Sequence, residues 1–165
     1  MPAFADDHRP ADESNERGYL EHTLARRLAV ESSWVTQARG QAVKVVAQLV
    51  PHLPRQERYR VVMMHRPLGE IVASQKKMLG RLGKDGGRIT DEALAETFAR
   101  QVNQVRSMLV QLRKEGIVDV LDVKYHDVLE SPATIATRLA TFLGAGFDAA
   151  KAAAAVDPSL RHERA

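Results

Sequence analysis

The chain has 165 residues, 44% of them hydrophobic and 27% charged, which is the composition of one soluble globular domain. It has no cysteine, and this excludes a disulfide framework, an iron–sulfur cluster, a thiolate zinc site and a cysteine nucleophile. The net charge is +3, no apolar run approaches the length of a membrane helix, and the first residues lack the pattern of a secretory signal, so we expect a cytoplasmic protein with no membrane partner.

The basic residues are unevenly distributed along the chain. The window from Arg55 to Arg88 holds nine bases and three acids, whereas residues 1–40 hold seven acids and five bases. A local positive field favours an anionic ligand, although a solvated basic helix face explains the same count.

The N-terminal part of the chain combines irregular segments with one helix and one strand. Residues 1–18 are polar and are predicted to be irregular. Apolar residues at helical spacing predict a helix over residues 20–39, for which Gly40 is a natural stop. The β-branched run 42–46 predicts a short strand, and two prolines close the turn that follows it.

Strands and helices alternate from there onward. The continuous apolar run of residues 59–64 predicts a strand that is buried on both faces of a parallel sheet. Amphipathic patterns predict helices over residues 67–83 and 91–115, the second capped by Thr90 and closed by Gly116.

The C-terminal part repeats this alternation. A strand is predicted over residues 117–123 and a helix over 131–143, with Ser131 as its N-cap. A short alanine-rich helix is predicted over residues 148–156, and residues 157–165 form a tail.

This order of elements predicts a fold class. Strands that alternate with helices indicate a single α/β domain over residues 1–165, with three layers and a small, mostly parallel sheet. Three predicted strands are few for such a sheet, so either the core is thin or a strand is missing from this chain.

The candidate binding site lies where the buried strand ends at Arg66 and a helix opens at Pro67. Open α/β sheets bind ligands at the carboxyl ends of their strands, and a helix N-terminus favours an anion. A guanidinium matches phosphate oxygens. On a helical wheel one polar flank holds Arg66, Glu70, Ser74, Lys77 and Arg81.

The spacing within this polar flank admits two interpretations. Ser74 lies about 12 Å from Arg66 along the helix axis, so one phosphate contacts both only if Arg66 leans along the helix. An ion pair between Arg66 and Glu70, with Ser74 as a surface hydroxyl, fits the spacing equally well.

The pattern Arg-Pro-x-x-x-x-Val-x-Ser, which runs from Arg66 to Ser74, resembles the 3′-phosphate signature of sulfotransferases that use 3′-phosphoadenylyl sulfate (PAPS). Further stretches resemble bacterial sulfotransferase-like proteins, namely residues 15–21, 38–45, 125–132 and 142–144. The resemblance implies a P-loop-NTPase-like fold in which Arg66 and Ser74 bind the 3′-phosphate of the nucleotide, with PAPS as cosubstrate and no metal.

One part of the family pattern does not occur in this sequence. The family begins with a strand and a phosphate loop of the Pro-Arg/Lys-Ser-Gly-Thr type, and neither Ser-Gly-Thr nor Gly-x-x-x-x-Gly-Lys-Ser/Thr is found here. We therefore expect the first βα unit to be missing, through a misassigned start codon, a truncated gene, or loss of catalysis with a binding role retained.

The resemblance implies transfer of a sulfuryl group from PAPS to a hydroxyl or amine acceptor of unknown identity. A general base would take the proton of the acceptor, and we expect Glu21 or His22 in this role, with His65 as second choice. A surface or capping role is the alternative for each histidine.

The neighbouring sequence predicts the roles of several other residues. Trp34 is expected in the core rather than under an adenine ring, and Tyr125 and Asp127 are expected to shape the turn after the last strand. Lys44 lies alone in an apolar run, either at a sheet edge or facing the site. Arg161 and Arg164 either close over the nucleotide phosphate or belong to a basic tail, and we expect the tail.

Two further functions compete with sulfuryl transfer. A non-enzymatic interaction protein would use the basic 66–81 face and the long 91–115 helix to bind an acidic partner. A nucleotide kinase relative would share the βα phosphate site, and the absent phosphate loop counts equally against it. Nucleic-acid binding is not expected, because no helix-turn-helix pattern is present. The sequence carries no signal for a particular oligomeric state.

Overall fold

The computed structural model describes residues 1–6, 11, 18–81 and 90–160 of the chain. In chain order the elements are α1 (Thr23–Arg26), a 3-10 helix (Ser33–Ala38), a second 3-10 helix (Ala47–His52), β1 (Tyr59–His65), α2 (Leu68–Arg81), α3 (Asp91–Lys114), β2 (Val118–Lys124), α4 (Tyr125–Glu130), α5 (Pro132–Leu143), α6 (Ala149–Ala154) and a 3-10 turn (Pro158–Leu160).

The two strands form a parallel sheet, as predicted. They pair in register from Tyr59 opposite Val118 to His65 opposite Lys124. The predicted burial of β1 on both faces is wrong, because no residue of β1 is fully buried and Met64 is 49% exposed. Helices α2 and α3 lie between the two strands in the chain, which is the long crossover that a parallel pair requires. The domain is therefore α/β, with a two-stranded parallel sheet in the part of the chain that the structure describes.

The predicted strand over residues 42–46 is wrong. Ala42 forms an isolated parallel bridge with Ala3, in which Phe4 donates its N–H to the carbonyl of Ala42. The backbone then continues into a 3-10 helix at Ala47. A β-branched run favours extended backbone, but a strand also needs a partner that pairs along its length.

The predicted helix over residues 20–39 is also wrong, because two short helices replace it. The apolar spacing marks only part of the buried set, since Leu28 is 2% and Val35 is 8% exposed but Leu20 is 66% exposed. The backbone N–H of Ser33 donates to the side chain of Glu31 at 2.7 Å. Such a local hydrogen bond competes with helical pairing. Hydrogen bonding from the Ser33 side chain, and then from its backbone N–H, lowers the pKa of Glu31.

The remaining helices follow the sequence pattern closely. Thr90 caps α3 by accepting the N–H of Ala93 at 3.2 Å. Gly116 ends that region with φ of +67°, a left-handed conformation that favours glycine. Helix α4 was not predicted, because its residues were assigned to a turn after the last strand. Among the described residues no helix has the length and apolar character needed to cross a bilayer.

Within the described residues, most of the buried hydrophobic side chains belong to two clusters. In the first, Val105, Leu109 and Leu112 of α3 pack on the sheet face that carries Val118 and Val120. The second cluster lies under the N-terminal segments. It is built from Ala25, Leu28, Trp34, Val35 and Ala38.

Trp34 belongs to the core, as its sequence position predicts. Trp34 is 4% exposed, and its indole N–H donates to the carbonyl of Glu31 at 3.0 Å. The ring of Phe4 stacks against it at 5.3 Å between centroids. The indole is therefore satisfied within the fold and does not face a nucleotide.

A bidentate ion pair joins the end of the first 3-10 helix to the segment that precedes β1. Arg39 donates from Nε and Nη2 to the two carboxylate oxygens of Glu57, at 2.9 and 2.6 Å. These hydrogen bonds lower the pKa of Glu57 below its usual value. Burial, aided by the nearby Glu57 carboxylate, raises the pKa of Tyr59 to about 12, and its hydroxyl donates to the carbonyl of Pro54.

The lowered pKa of Glu57 predicts a specific acid sensitivity. Its pair with Arg39 stabilises the fold above the usual glutamate value of 4.5, and this contribution is lost as pH falls through the lower pKa of the folded state. We expect Glu57→Gln to lower the urea midpoint at pH 7, and this deficit to shrink below pH 4.5. Glu96→Gln, which changes an exposed carboxylate on α3, serves as the control. A deficit that is constant across pH would contradict the prediction.

Candidate functional site

The carboxyl ends of β1 and β2 lie side by side and bring charged residues from two distant parts of the chain together. Arg66 follows β1, whereas Tyr125 and His126 follow β2 at the start of α4. Glu70, in the first turn of α2, lies between these two groups. The parallel register places both strand ends at one edge of the sheet, where open α/β folds bind ligands.

Glu70 is the centre of this cluster. Its side chain is fully buried, and its two oxygens each have a partner. Arg66 donates from Nε to Oε2 at 2.8 Å, and Nε2 of His126 lies 2.8 Å from Oε1. A buried carboxylate needs such partners, because an uncompensated charge in the interior is very unfavourable.

The guanidinium of Arg66 is fixed from two sides. Glu70 holds its Nε, and its Cζ lies 5.0 Å from the centroid of the Tyr125 ring. Its side chain is 28% exposed, and no described residue accepts a hydrogen bond from its terminal nitrogens. The Nη edge of the fork is the part suited to bidentate contact with an oxyanion.

Ser74 occupies the next turn of α2 on the same flank as Glu70. It is half-buried, and its hydroxyl makes no hydrogen bond with any described residue. Of the two arrangements that the spacing admits, the ion pair between Arg66 and Glu70 is present. It occupies Nε of Arg66, however, and leaves the Nη edge without a partner among the described residues.

A second pair lies on the neighbouring residue of β1. Nε2 of His65 lies 2.5 Å from a carboxylate oxygen of Asp122 on β2. Lys124 is the register partner of His65. A carboxylate that contacts one ring nitrogen orients the imidazole and sets its tautomer. Asp122 was not predicted, since its closeness to His65 depends on a strand register that sequence patterns do not reveal.

The predicted bases Glu21 and His22 lie in a different place. Glu21 forms an ion pair with Lys44 at 3.1 Å. His22 caps α1 by accepting the N–H of Leu24 at Nδ1, and its ring stacks on Phe4 with centroids 4.1 Å apart. These contacts occupy Nδ1 of His22 and a carboxylate oxygen of Glu21, which are atoms that a general base would use to accept a proton.

Glu21 and His22 line an open cavity of about 440 Å³ together with Lys44 and Arg26. Arg66 does not line this cavity. The structure therefore brings Glu21, His22 and Lys44 together, but it does not bring them to Arg66 and Ser74.

Other predicted residues lie elsewhere. Tyr125 and Asp127 are in the first turn of α4, so they form a helix rather than a turn. Some predicted residues lie outside the described part of the chain, namely residues 15–17 of the sulfotransferase-like stretch, Arg88 of the basic window, and Arg161 and Arg164 of the tail. Among the described residues no three histidine or acidic side chains are grouped to hold a metal ion.

Comparisons with known proteins give no further assignment. No protein-family model matches the sequence, and no significant match is found to curated proteins or to solved structures. The function is therefore argued from the geometry at the carboxyl edge of the sheet.

The burial of Glu70 predicts a large effect of its removal. Glu70→Ala leaves Arg66 and His126 without their shared carboxylate, and we expect a loss of about 3–5 kcal/mol in the free energy of unfolding, measured with urea. Glu70→Gln keeps an acceptor and a similar volume, so its loss is expected to be smaller, about 1–3 kcal/mol.

Glu96→Ala provides the matched control on an exposed helix face, with an expected change within about 0.5 kcal/mol. If Glu70→Ala were as mild as this control, the Glu70 cluster would not organise the edge of the sheet.

Proposed function

We propose that this chain binds a nucleotide through its 3′-phosphate at Arg66, as a domain of the PAPS-dependent sulfotransferase type. The proposed architecture is the three-layer, P-loop-NTPase-like fold that the sequence resemblance implies, with β1 and α2 forming its 3′-phosphate unit. The observed α/β order and the parallel pairing of β1 with β2 support this assignment.

The fixed guanidinium of Arg66 is the observation that carries the proposal. Glu70 anchors Nε and Tyr125 flanks the planar group, so little side-chain freedom is lost when a ligand binds. The Nη edge, which no described residue uses, is complementary to two oxygens of a phosphate. The first turn of α2 adds backbone N–H groups and the positive end of a helix dipole.

Ser74 is the proposed second contact. Glu70 lies between Arg66 and Ser74 at successive positions of one helical flank, so a phosphate above Glu70 would meet a guanidinium on one side and a hydroxyl on the other. The buried carboxylate does not repel this phosphate strongly, because Arg66 and His126 already hold both of its oxygens.

Sulfuryl transfer is the reaction that we propose for such a domain. The acceptor oxygen or nitrogen forms a bond to sulfur while the bond from sulfur to the phosphate oxygen of PAPS breaks, and adenosine 3′,5′-bisphosphate leaves with the electron pair. A base takes the acceptor proton. The sequence has no Ser-Gly-Thr motif, so the residues assigned here serve the 3′-phosphate end of the donor.

His65 fits the role of base better than Glu21 or His22 does. It directly precedes Arg66, and Asp122 orients its ring. Glu21 and His22 are engaged by Lys44 and by the start of α1, in a cavity that Arg66 does not line.

The binding proposal predicts a ligand-dependent melting temperature. Adenosine 3′,5′-bisphosphate is expected to raise the Tm, since a ligand that binds the native state stabilises it by mass action. Adenosine 5′-phosphate, which lacks the 3′-phosphate, is expected to give a much smaller shift. Arg66→Lys keeps a charge beside Glu70 but removes the bidentate fork, and we expect about tenfold weaker binding.

Arg106→Lys, an exposed change on α3, is the matched control and should bind as the wild type does. The proposal fails if millimolar adenosine 3′,5′-bisphosphate leaves the Tm of the folded protein unchanged, or if Arg66→Lys responds as strongly as the wild type.

The transfer proposal predicts turnover that depends on His65. Incubation of the protein with PAPS and a panel of phenols and amines should release adenosine 3′,5′-bisphosphate, which chromatography quantifies. We expect His65→Ala to reduce the rate by about a hundredfold, the contribution of a positioned base. His22→Ala is expected to leave the rate near that of the wild type. The reverse ranking would return the role of base to the N-terminal cavity.

A further inference from the structure

A second cleft lies along the edge of β2 that no described strand pairs with, away from the Arg66 site. It has a volume of about 570 Å³. Three consecutive strand residues, Asp119, Val120 and Leu121, line it. Successive side chains of a strand point to opposite faces of a sheet, so a cleft that contacts three in a row runs beside the strand edge rather than over one face.

The backbone pairing shows which groups point into this cleft. The N–H of Tyr59 donates to the carbonyl of Ile117, so the odd-numbered residues of β2 turn their backbone groups toward β1. The even-numbered residues face away, and Arg138 donates to the outward carbonyl of Asp122 at 3.4 Å. Val120 therefore presents its N–H and C=O to the cleft, where no described residue pairs with them.

Helices flank this edge on both faces of the sheet. Helix α3 packs on the face that carries Val118 and Val120. Arg60 belongs to the opposite face and donates to the carbonyl of Leu143 at the end of α5. Between these two helices lies a slot beside β2, which is the position of an added strand in a layered α/β sheet.

The slot is strongly basic. Arg60, Arg113 and Arg138 line it, against the single carboxylate of Asp119. All four residues are exposed, and the guanidinium of Arg113 makes no ion pair or hydrogen bond with a described residue. A second copy of this chain would bring the same arginines opposite one another, which is unfavourable.

We propose that the edge of β2 binds an acidic segment of another polypeptide as an added strand. The backbone of the segment pairs with the outward groups of Val120, and its carboxylates pair with Arg113 and Arg138. Main-chain hydrogen bonds give the affinity of such strand addition, and the arginines select the charge of the partner. This surface is separate from the Arg66 site and does not depend on the nucleotide proposal.

A synthetic peptide tests this proposal on the full chain. The probe is a fluorescein-labelled peptide of alternating glutamate and threonine, about eight residues long to match a strand. Fluorescence anisotropy should show saturable binding that weakens with salt, whereas a lysine and threonine peptide should not bind. Arg113→Gln and Arg138→Gln are each expected to weaken binding by about tenfold. Arg106→Gln, on α3 outside the slot, is expected to have no effect.

Hydrogen exchange distinguishes strand addition from charge attraction alone. The amide of Val120 should become protected when the peptide binds, while that of Leu121, which already faces β1, should not change. Two further peptides carry N-methyl groups on alternate residues, one on the odd positions and one on the even positions. Only the peptide whose methylated edge faces β2 should lose binding, which identifies the edge that pairs.

Three results would overturn the proposal. The first is absence of binding at millimolar peptide. The second is binding that tolerates N-methylation at both parities or is indifferent to Arg113→Gln, which would make the contact non-specific. The third is protection of Val120 that rises with protein concentration in the absence of peptide, which would assign the edge to a second copy of this chain.

Discussion

The buried carboxylate of Glu70 is the interaction on which the carboxyl edge of the sheet depends. It joins the end of β1 to the start of α4, because Arg66 and His126 hold its two oxygens at 2.8 Å. A buried carboxylate needs hydrogen-bonded partners, and here Arg66 and His126 provide them, so the ends of the two strands are linked through the side chain of Glu70. The same contact fixes Arg66 through Nε and leaves its terminal nitrogens without a hydrogen bond to a described residue. The structural role of the guanidinium and its proposed binding role are compatible, because they use different nitrogens.

The two proposed surfaces use the same short sheet in different ways. At its carboxyl edge, loops and helix starts gather side chains from both strands around Arg66, and the expected ligand is a phosphate. Along the side of β2, the proposed ligand is a polypeptide, which would meet the guanidinium of Arg113 and the backbone groups of Val120 that no described residue pairs with. A two-stranded sheet leaves a large proportion of its backbone at edges, so a partner strand would satisfy groups that otherwise bond to water.

Sequence patterns predicted the elements whose signals are local. Strand β1 and helix α3 with its Thr90 cap follow from apolar periodicity and capping chemistry. The parallel pairing follows from the order in which strands and helices alternate. The predicted helix over residues 20–39 is wrong because α1 already ends at Arg26 and a separate 3-10 helix begins at Ser33, a break that apolar spacing does not indicate. The site was predicted only in part. Arg66 and Glu70 are four residues apart, whereas the contact of Glu70 with His126 joins residues separated by 56 positions and depends on the tertiary fold.

The two hydrophobic clusters share residues. Leu53 and Tyr59 pack against both, so the N-terminal segments and the layer formed by α3 and the sheet have side chains in common. Loss of either cluster exposes a flank of the other, and this coupling favours concerted melting over stepwise release of the N-terminal segments. Differential scanning calorimetry of the protein should therefore show one unfolding peak, for which the van't Hoff and calorimetric enthalpies agree. The aromatic stack around Trp34 would then report, by fluorescence, on the integrity of the whole domain.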